Sequence, residues 1–119
     1  MRPMSDISFT KPLSEAMAAK ANEAAHMLRL LANPHRLQVL CLLVDGELSV
    51  GAIQQQVALS QSALSQHLAR LREQGLVETR REGTSIFYWI ADPAVLQIMQ
   101  VLAAIYCCLL YTSPSPRDS

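Results

Sequence analysis

The apolar residues of this chain recur mostly at intervals of three and four and, in one stretch from Leu76 to Ile90, at intervals of two. The first spacing places side chains on one face of a helix, the second on one face of a strand. Between Ser14 and Leu31, Ala21, Ala24, Leu28 and Leu31 share a stripe while Lys20, Glu23 and Arg29 lie off it, which predicts a first helix. Asn33-Pro34 opens a second, because an Asn side chain caps free amides and proline fits the first helical position. This helix is predicted to run to about Val44, with Leu37, Leu40, Cys41 and Val44 on one face, before Asp45-Gly46 ends it in a turn.

Ser49 caps a short third helix in which Val50, Ile53 and Val57 point one way, stopping near Ala58. Ser60 caps a fourth, and Gly75 closes it. In the fourth helix Leu64, Leu68 and Leu71 form an inward stripe, while Ser62, Gln66 and Arg70, joined by Gln61 and Ser65, occupy another face. Two short helices joined by a tight turn, the second apolar inside and rich in amide and hydroxyl groups outside, are what a helix-turn-helix requires. The period of two that follows predicts a hairpin, or wing, with Val77 in its first run and Ile86, Tyr88 and Ile90 in its second, around the turn Arg81-Glu82-Gly83-Thr84. Asp92-Pro93 repeats the cap-plus-proline start, and a last helix runs to about Tyr106. Its Val95, Leu96, Ile98, Met99, Val101, Leu102, Ile105 and Tyr106 encircle it. A helix apolar on nearly every side needs cover on more than one, and a second copy of the chain would supply it. The expected fold is mainly α with a small β-hairpin, a winged helix-turn-helix.

A chain of 119 residues fits one domain. Its apolar share of 50% is high for so short a soluble protein and agrees with a buried subunit interface. Ten basic and ten acidic residues balance to +0, so any attraction to phosphate has to come from local arrangement. Residues 1–13 are mixed and proline-containing, the composition of a flexible arm. They show no basic stretch, apolar core and small-residue cleavage site of an export signal, so the cytoplasm is the expected location. The stretch Ala94 to Tyr111 approaches the roughly 20 residues that a bilayer demands. Gln97 and Gln100 interrupt it, and an interface helix is expected there, with no membrane partner.

The order helix, helix, helix-turn-helix, hairpin, helix, with the words LANPHRLQVL and SQSALSQHLARLREQGLVETRREGTSIFYWI, resembles the ArsR-type winged-helix repressors from about Ala21 to Cys107. The resemblance implies a homodimer built on the first and last helices and a fourth helix that enters the major groove of an inverted-repeat operator in double-stranded DNA. It also implies that Gln61, Ser62, Ser65, Gln66 and Arg70 face DNA, with Arg80 and Arg81 on a wing that reaches the flanking backbone. The chemistry of these side chains suits that task, since Gln pairs bidentately with adenine and Ser and Arg reach base edges or phosphates. Taken without the family words, the same polar face fits an ordinary solvated helix. After Cys107 the words CLLYTSPSPRD resemble a transposase sequencing adaptor read through in one frame. Residues 108–119 are therefore set aside as a non-native tail, leaving 14–107 as the DNA-binding and dimerisation domain.

The three cysteines, Cys41, Cys107 and Cys108, form no CxxC pair and no Cys/His zinc spacing. Metal-binding members of the resembling family place two cysteines where this chain reads Glu47-Leu48-Ser49-Val50-Gly51-Ala52, and no His or Glu lies between Asp92 and Cys107 for the family's second zinc site. His26, His35 and His67 fall in separate helices, whereas zinc wants about four ligands. Neither metal nor cofactor is expected, and His67, beside the inward leucines, is expected to be structural. Cys41 taken alone fits a small buried hydrophobe next to Leu37 and Val44. Cys41 and Cys107 together resemble the cysteine pair of the family's persulfide- and oxidant-sensing branch, in which bridged thiols release DNA. In that chemistry an exposed thiolate is attacked by reactive sulfur or oxidant and the product is captured by the second thiol. A bridge from helix two to the end of helix five would alter the spacing of two recognition helices that must match half-sites about 34 to 36 Å apart. Two rivals remain open: a trivalent arsenic-type ion held by Cys41, Cys107 and Cys108, and a thiol-disulfide enzyme, for which CxxC and a nearby general base are missing.

Overall fold

The computed structural model describes residues 12–107, so the predicted arm before Pro12, Cys108 and the remaining tail lie outside the described residues. The chain divides into two units, at Ala32 and Asn33. The first unit holds helix α1, Leu13–Leu31. Glu15 in its first turn and Arg29 in its last complement the helix dipole. Leu13, Met17 and Leu28 of α1 are exposed apolar residues.

The second unit runs α2 (Pro34–Leu43), β1 (Leu48–Ser49), α3 (Val50–Gln56), α4 (Gln61–Glu73), β2 (Val77–Glu82), β3 (Ser85–Ile90) and α5 (Pro93–Tyr106). Each predicted start is made by the expected side chain. Asn33 Oδ1 accepts from the amides of His35 and Arg36 at 2.9 and 3.0 Å. Ser49 Oγ accepts from Ala52 N at 3.1 Å, Ser60 Oγ from Ala63 N at 3.1 Å, and Asp92 Oδ1 from Ala94 N at 2.9 Å. Such a cap contributes about 1 kcal/mol to its helix. Gly75, at φ +81°, lets α4 close with Leu76 N donating to Leu71 O at 2.9 Å.

The core is a single apolar cluster. Val39, Leu40 and Leu43 of α2, Ile53 of α3, Leu64, Leu68 and Leu71 of α4, Leu76 and Val77 at the hairpin base, and Val95 and Met99 of α5 are all buried. At about 1.5–3 kcal/mol for each large apolar side chain buried, this cluster is the main stabilising term.

Three expectations change. The face of α2 turned to the core carries Val39, Leu40 and Leu43, while Leu37 and Val44 are half-buried and Cys41 is exposed. From Val39 to Leu43 every position of this helix is apolar, so periodicity could not choose between adjacent stripes. The hairpin turn is tighter than the four residues expected, because pairing continues to Glu82 opposite Ser85 and leaves only Gly83-Thr84 at the tip. Gly83, at φ +63°, takes the first central position, where a type II′ turn favours glycine. Finally, Leu48 and Ser49 form a short strand on the free edge of β3, opposite Tyr88 and Phe87, giving a three-stranded antiparallel sheet of order β1-β3-β2. Two residues are too few to show a period, and only the available edge of β3 defines them as a strand.

Helix α5 buries Val95, Met99 and Ala103, one stripe of its apolar surface. Val101, Ile105 and Tyr106 are left exposed, Tyr106 at 79%. No helix among the described residues is long and apolar enough to cross a membrane.

Candidate nucleic-acid interface and thiol groove

Helix α4 is held by its three leucines, so its remaining face is free to meet a ligand. Gln61, Ser62, Ser65, Gln66 and Arg70 are all exposed. They fall on two lines. Gln61 and Ser65 face the hairpin and, with Thr84 and Ser85 of its tip and Ser49 of β1, line a groove of about 500 Å³. Ser62, Gln66 and Arg70 lie outside that groove, on the adjoining side of the helix. The turn before α4 is fixed by a side chain that periodicity did not mark: Gln54 Nε2 donates to Leu59 O at 2.6 Å, tying α3 to the loop that leads into α4. A half-buried Gln in the last turn of a short helix carries no sequence signal of its own.

The two wing arginines have different surroundings. Arg80 Nε and Nη2 donate to both carboxylate oxygens of Glu47 at 3.1 and 2.7 Å, and Arg80 Nη1 lies 3.4 Å from Glu82. Its guanidinium also sits over the Phe87 ring at 4.6 Å from the centroid. Arg80 thus anchors the hairpin to the segment before β1, and it holds the Glu47 carboxyl below the usual carboxylate range. Arg81, one residue on and therefore on the opposite face, is exposed and has no ion-pair partner among the described residues.

The structure brings the two sensing candidates together. Cys41 of α2 and Cys107 at the end of α5 line one apolar groove of about 280 Å³ with Leu37, Met99, Leu102 and Tyr106. Cys41 is exposed and Cys107 half-buried, and neither is in a disulfide. The expected exposed thiolate is thus exposed but not favoured as an anion: partial burial, then the nearby Cys107, then Asp45, push the Cys41 thiol above its ordinary value. Because only the thiolate is alkylated, the rate for Cys41 with iodoacetamide, followed by peptide mass spectrometry, should rise with pH to a midpoint above that of an ordinary exposed thiol. A midpoint below the ordinary range would contradict the apolar setting described here. Cys108 lies outside the described residues.

His67 is half-buried on α4, and its ring centroid lies 5.9 Å from that of His35 on α2. Burial first, then the charges of Arg36 and His35, hold His67 below its ordinary pKa and so neutral at pH 7. Tertiary packing thereby pairs two histidines that sequence spacing kept apart. Among the described residues no three His, Cys, Asp or Glu side chains gather as a metal site.

A helix-turn-helix whose second helix shows only its polar face, followed by a hairpin that flanks it, defines a winged helix-turn-helix DNA-binding regulator. Residues 33–79 match the family model described as bacterial regulatory protein, arsR family. The transcriptional activator HlyU of Vibrio cholerae is 45% identical over 93 residues, which cover 78% of this chain and 86% of that protein. Its reduced form gives a TM-score of 0.74, with 78% of this chain and 98% of the other covered. The crystal structure of the transcriptional repressor BigR from Xylella fastidiosa gives 0.75 at 45% identity, covering 79% and 96%. A homodimeric winged helix-turn-helix DNA-binding domain from Mycobacterium bovis gives 0.63 at 37% identity, covering 75% and 82%. The chain belongs to the ArsR family of transcriptional regulators.

Proposed function

We propose that this regulator is a cytoplasmic homodimeric repressor, without enzymatic activity, that reads an inverted-repeat operator through α4 and is released when Cys41 and Cys107 are joined. The observation that carries the sensory part is the shared groove: two cysteines 66 positions apart in sequence line the same small apolar cavity, and Cys107 acts electrostatically on Cys41. The exposed Val101, Ile105 and Tyr106 of α5, and Leu13, Met17 and Leu28 of α1, support a second copy as their cover, and the similar mycobacterial domain is homodimeric. The functional core of this reading is 14–107, and 108–119 is a non-native tail.

The chemistry balances with a persulfide alone. The Cys41 thiolate takes the terminal sulfur of RSSH and releases RSH; Cys107 then attacks the Cys41 persulfide, forming the disulfide and expelling hydrogen sulfide. The raised pKa leaves little thiolate at neutral pH but makes that fraction more nucleophilic. If a second RSSH first converts Cys107 to its own persulfide, releasing RSH, attack of that persulfide on the inner sulfur of the Cys41 persulfide expels hydrogen sulfide and leaves a trisulfide bridge across the same pair. After persulfide treatment, mass spectrometry should find a peptide in which Cys41 and Cys107 are crosslinked. Absence of any crosslink with persulfide or peroxide would return both residues to packing.

The DNA part is tested on an operator selected by the protein from a random duplex pool. Gln66→Ala is expected to cost about 1–3 kcal/mol of binding and to relax the preference at one base pair. Unchanged affinity and preference would remove Gln66 from the reading face.

A further inference from the structure

Arg72, which is not among the candidates drawn from the sequence, stands with Arg70 in the last turn of α4, where cations complement the helix dipole. In the structure it lines a cavity of about 280 Å³ with Thr79, Arg80 and Arg81 of β2 and Ile86 and Tyr88 of β3. Ile86 and Tyr88 also floor the groove that holds Gln61 and Ser65, so the two cavities adjoin along one side of α4. The spacing explains this: 61, 65, 68 and 72 form one helical line, and that line faces the hairpin. Across the hairpin, Thr79 pairs with Tyr88 and Arg81 with Ile86, which places those four residues on the same face of the sheet.

The charge in this cavity is unbalanced. Arg80, at its edge, is neutralised by Glu47 and Glu82. Arg72 and Arg81 are exposed, have no ion-pair partner among the described residues, and share the cavity with no carboxylate in its lining. Two like charges in one concave site repel unless an anion lies between them. The hydroxyls of Thr79 and Tyr88 add donors, and a forked guanidinium on either side suits an oxyanion.

We propose that Arg72 and Arg81 form one oxyanion seat for a phosphate ester, filled by a single DNA backbone phosphate clamped between the recognition helix and the wing. The choice of DNA as the source rests on the operator-binding reading above; the seat itself rests on the cavity. A phosphate held from both sides would fix the wing against α4 on the duplex, setting the register in which Gln66 and its neighbours meet base edges.

The test uses the full chain and a mixed-sequence duplex of about 30 base pairs, with binding measured by fluorescence anisotropy across a salt series. Arg72→Ala and Arg81→Ala are each expected to weaken binding about tenfold and to reduce the slope of log affinity against log salt by about 0.9 per seat occupied. The double variant is expected to lower the slope no further than either single one, because both cations serve one phosphate. Arg72→Lys should keep the slope while losing part of the affinity, and Lys20→Ala, which removes an α1 cation, should leave both unchanged. Circular dichroism confirms that each variant is folded. Slopes equal to wild type, or slope losses that add in the double variant, overturn the shared seat while leaving DNA binding intact. Wild-type protein that binds no duplex overturns the operator reading instead, and inorganic phosphate then decides the seat. Saturable shifts of both the Arg72 and Arg81 side-chain NMR signals, lost in Arg72→Ala, support it with free phosphate as the source; no shift overturns it.

Discussion

Leu64→Ala is expected to destabilise the protein by about 2–5 kcal/mol. Leu64 is 0% exposed, and with Leu68 and Leu71 it makes up the buried stripe of a 13-residue helix whose outer face is polar. A helix of that length is marginal by itself in water and owes its persistence to its buried stripe. The loss equals a large share of the stability of a domain this small, and it corresponds to a fall in melting temperature of about 10–30 °C. Operator binding should fail with it, since the reading face exists only while α4 is docked. Urea denaturation at fixed protein concentration checks the value, the concentration being held because a dimer gains stability by mass action. A change below about 1 kcal/mol would mean that α4 is supported by something other than its leucine stripe.

Joining Cys41 to Cys107 is the second large effect. Treatment of the reduced protein with an organic persulfide should weaken binding to its selected operator about 5- to 150-fold, which corresponds to a coupling of about 1–3 kcal/mol. The physical origin is local: the bridge would tie the exposed side of α2 to the end of α5, and α5 carries the exposed apolar residues proposed for the dimer contact. A small change there alters how far apart two recognition helices sit, and operator half-sites tolerate little change. Cys41→Ser and Cys107→Ser should each bind operator as the reduced wild type does and should lose the response. Dithiothreitol should restore binding of the treated wild type. A Cys41→Ser variant that still releases DNA under persulfide would remove the groove from the mechanism and shift attention to chemistry elsewhere in the chain.

The histidines and the thiols show why some of the site was legible in the sequence and some was not. Cys41 and Cys107 were paired through a family resemblance; their own spacing of 66 positions says nothing about distance. His35 and His67 carried no such guide, and their ring contact at 5.9 Å follows from the packing of α2 against the leucine stripe of α4. Arg80 and Arg81 are indistinguishable as letters in a wing. The alternation of a strand sends them to opposite faces, one into the carboxylate of Glu47 and the other to the face shared with Thr79 and Tyr88.

Local signals determined the elements. Asn33, Ser49, Ser60 and Asp92 cap the helices that follow them, Gly75 and Gly83 take backbone conformations that other residues resist, and Leu64, Leu68 and Leu71 repeat at the helical interval. All of these act within about five residues, so they are written directly in the chain. Tertiary structure alone decided which stripe of the apolar run Val39–Leu43 in α2 turns inward, that Leu48 and Ser49 complete a sheet, and that Arg72 shares a cavity with Arg81. These outcomes depend on which surfaces remain free once the other elements have packed, a competition among distant parts of the chain that no local pattern records.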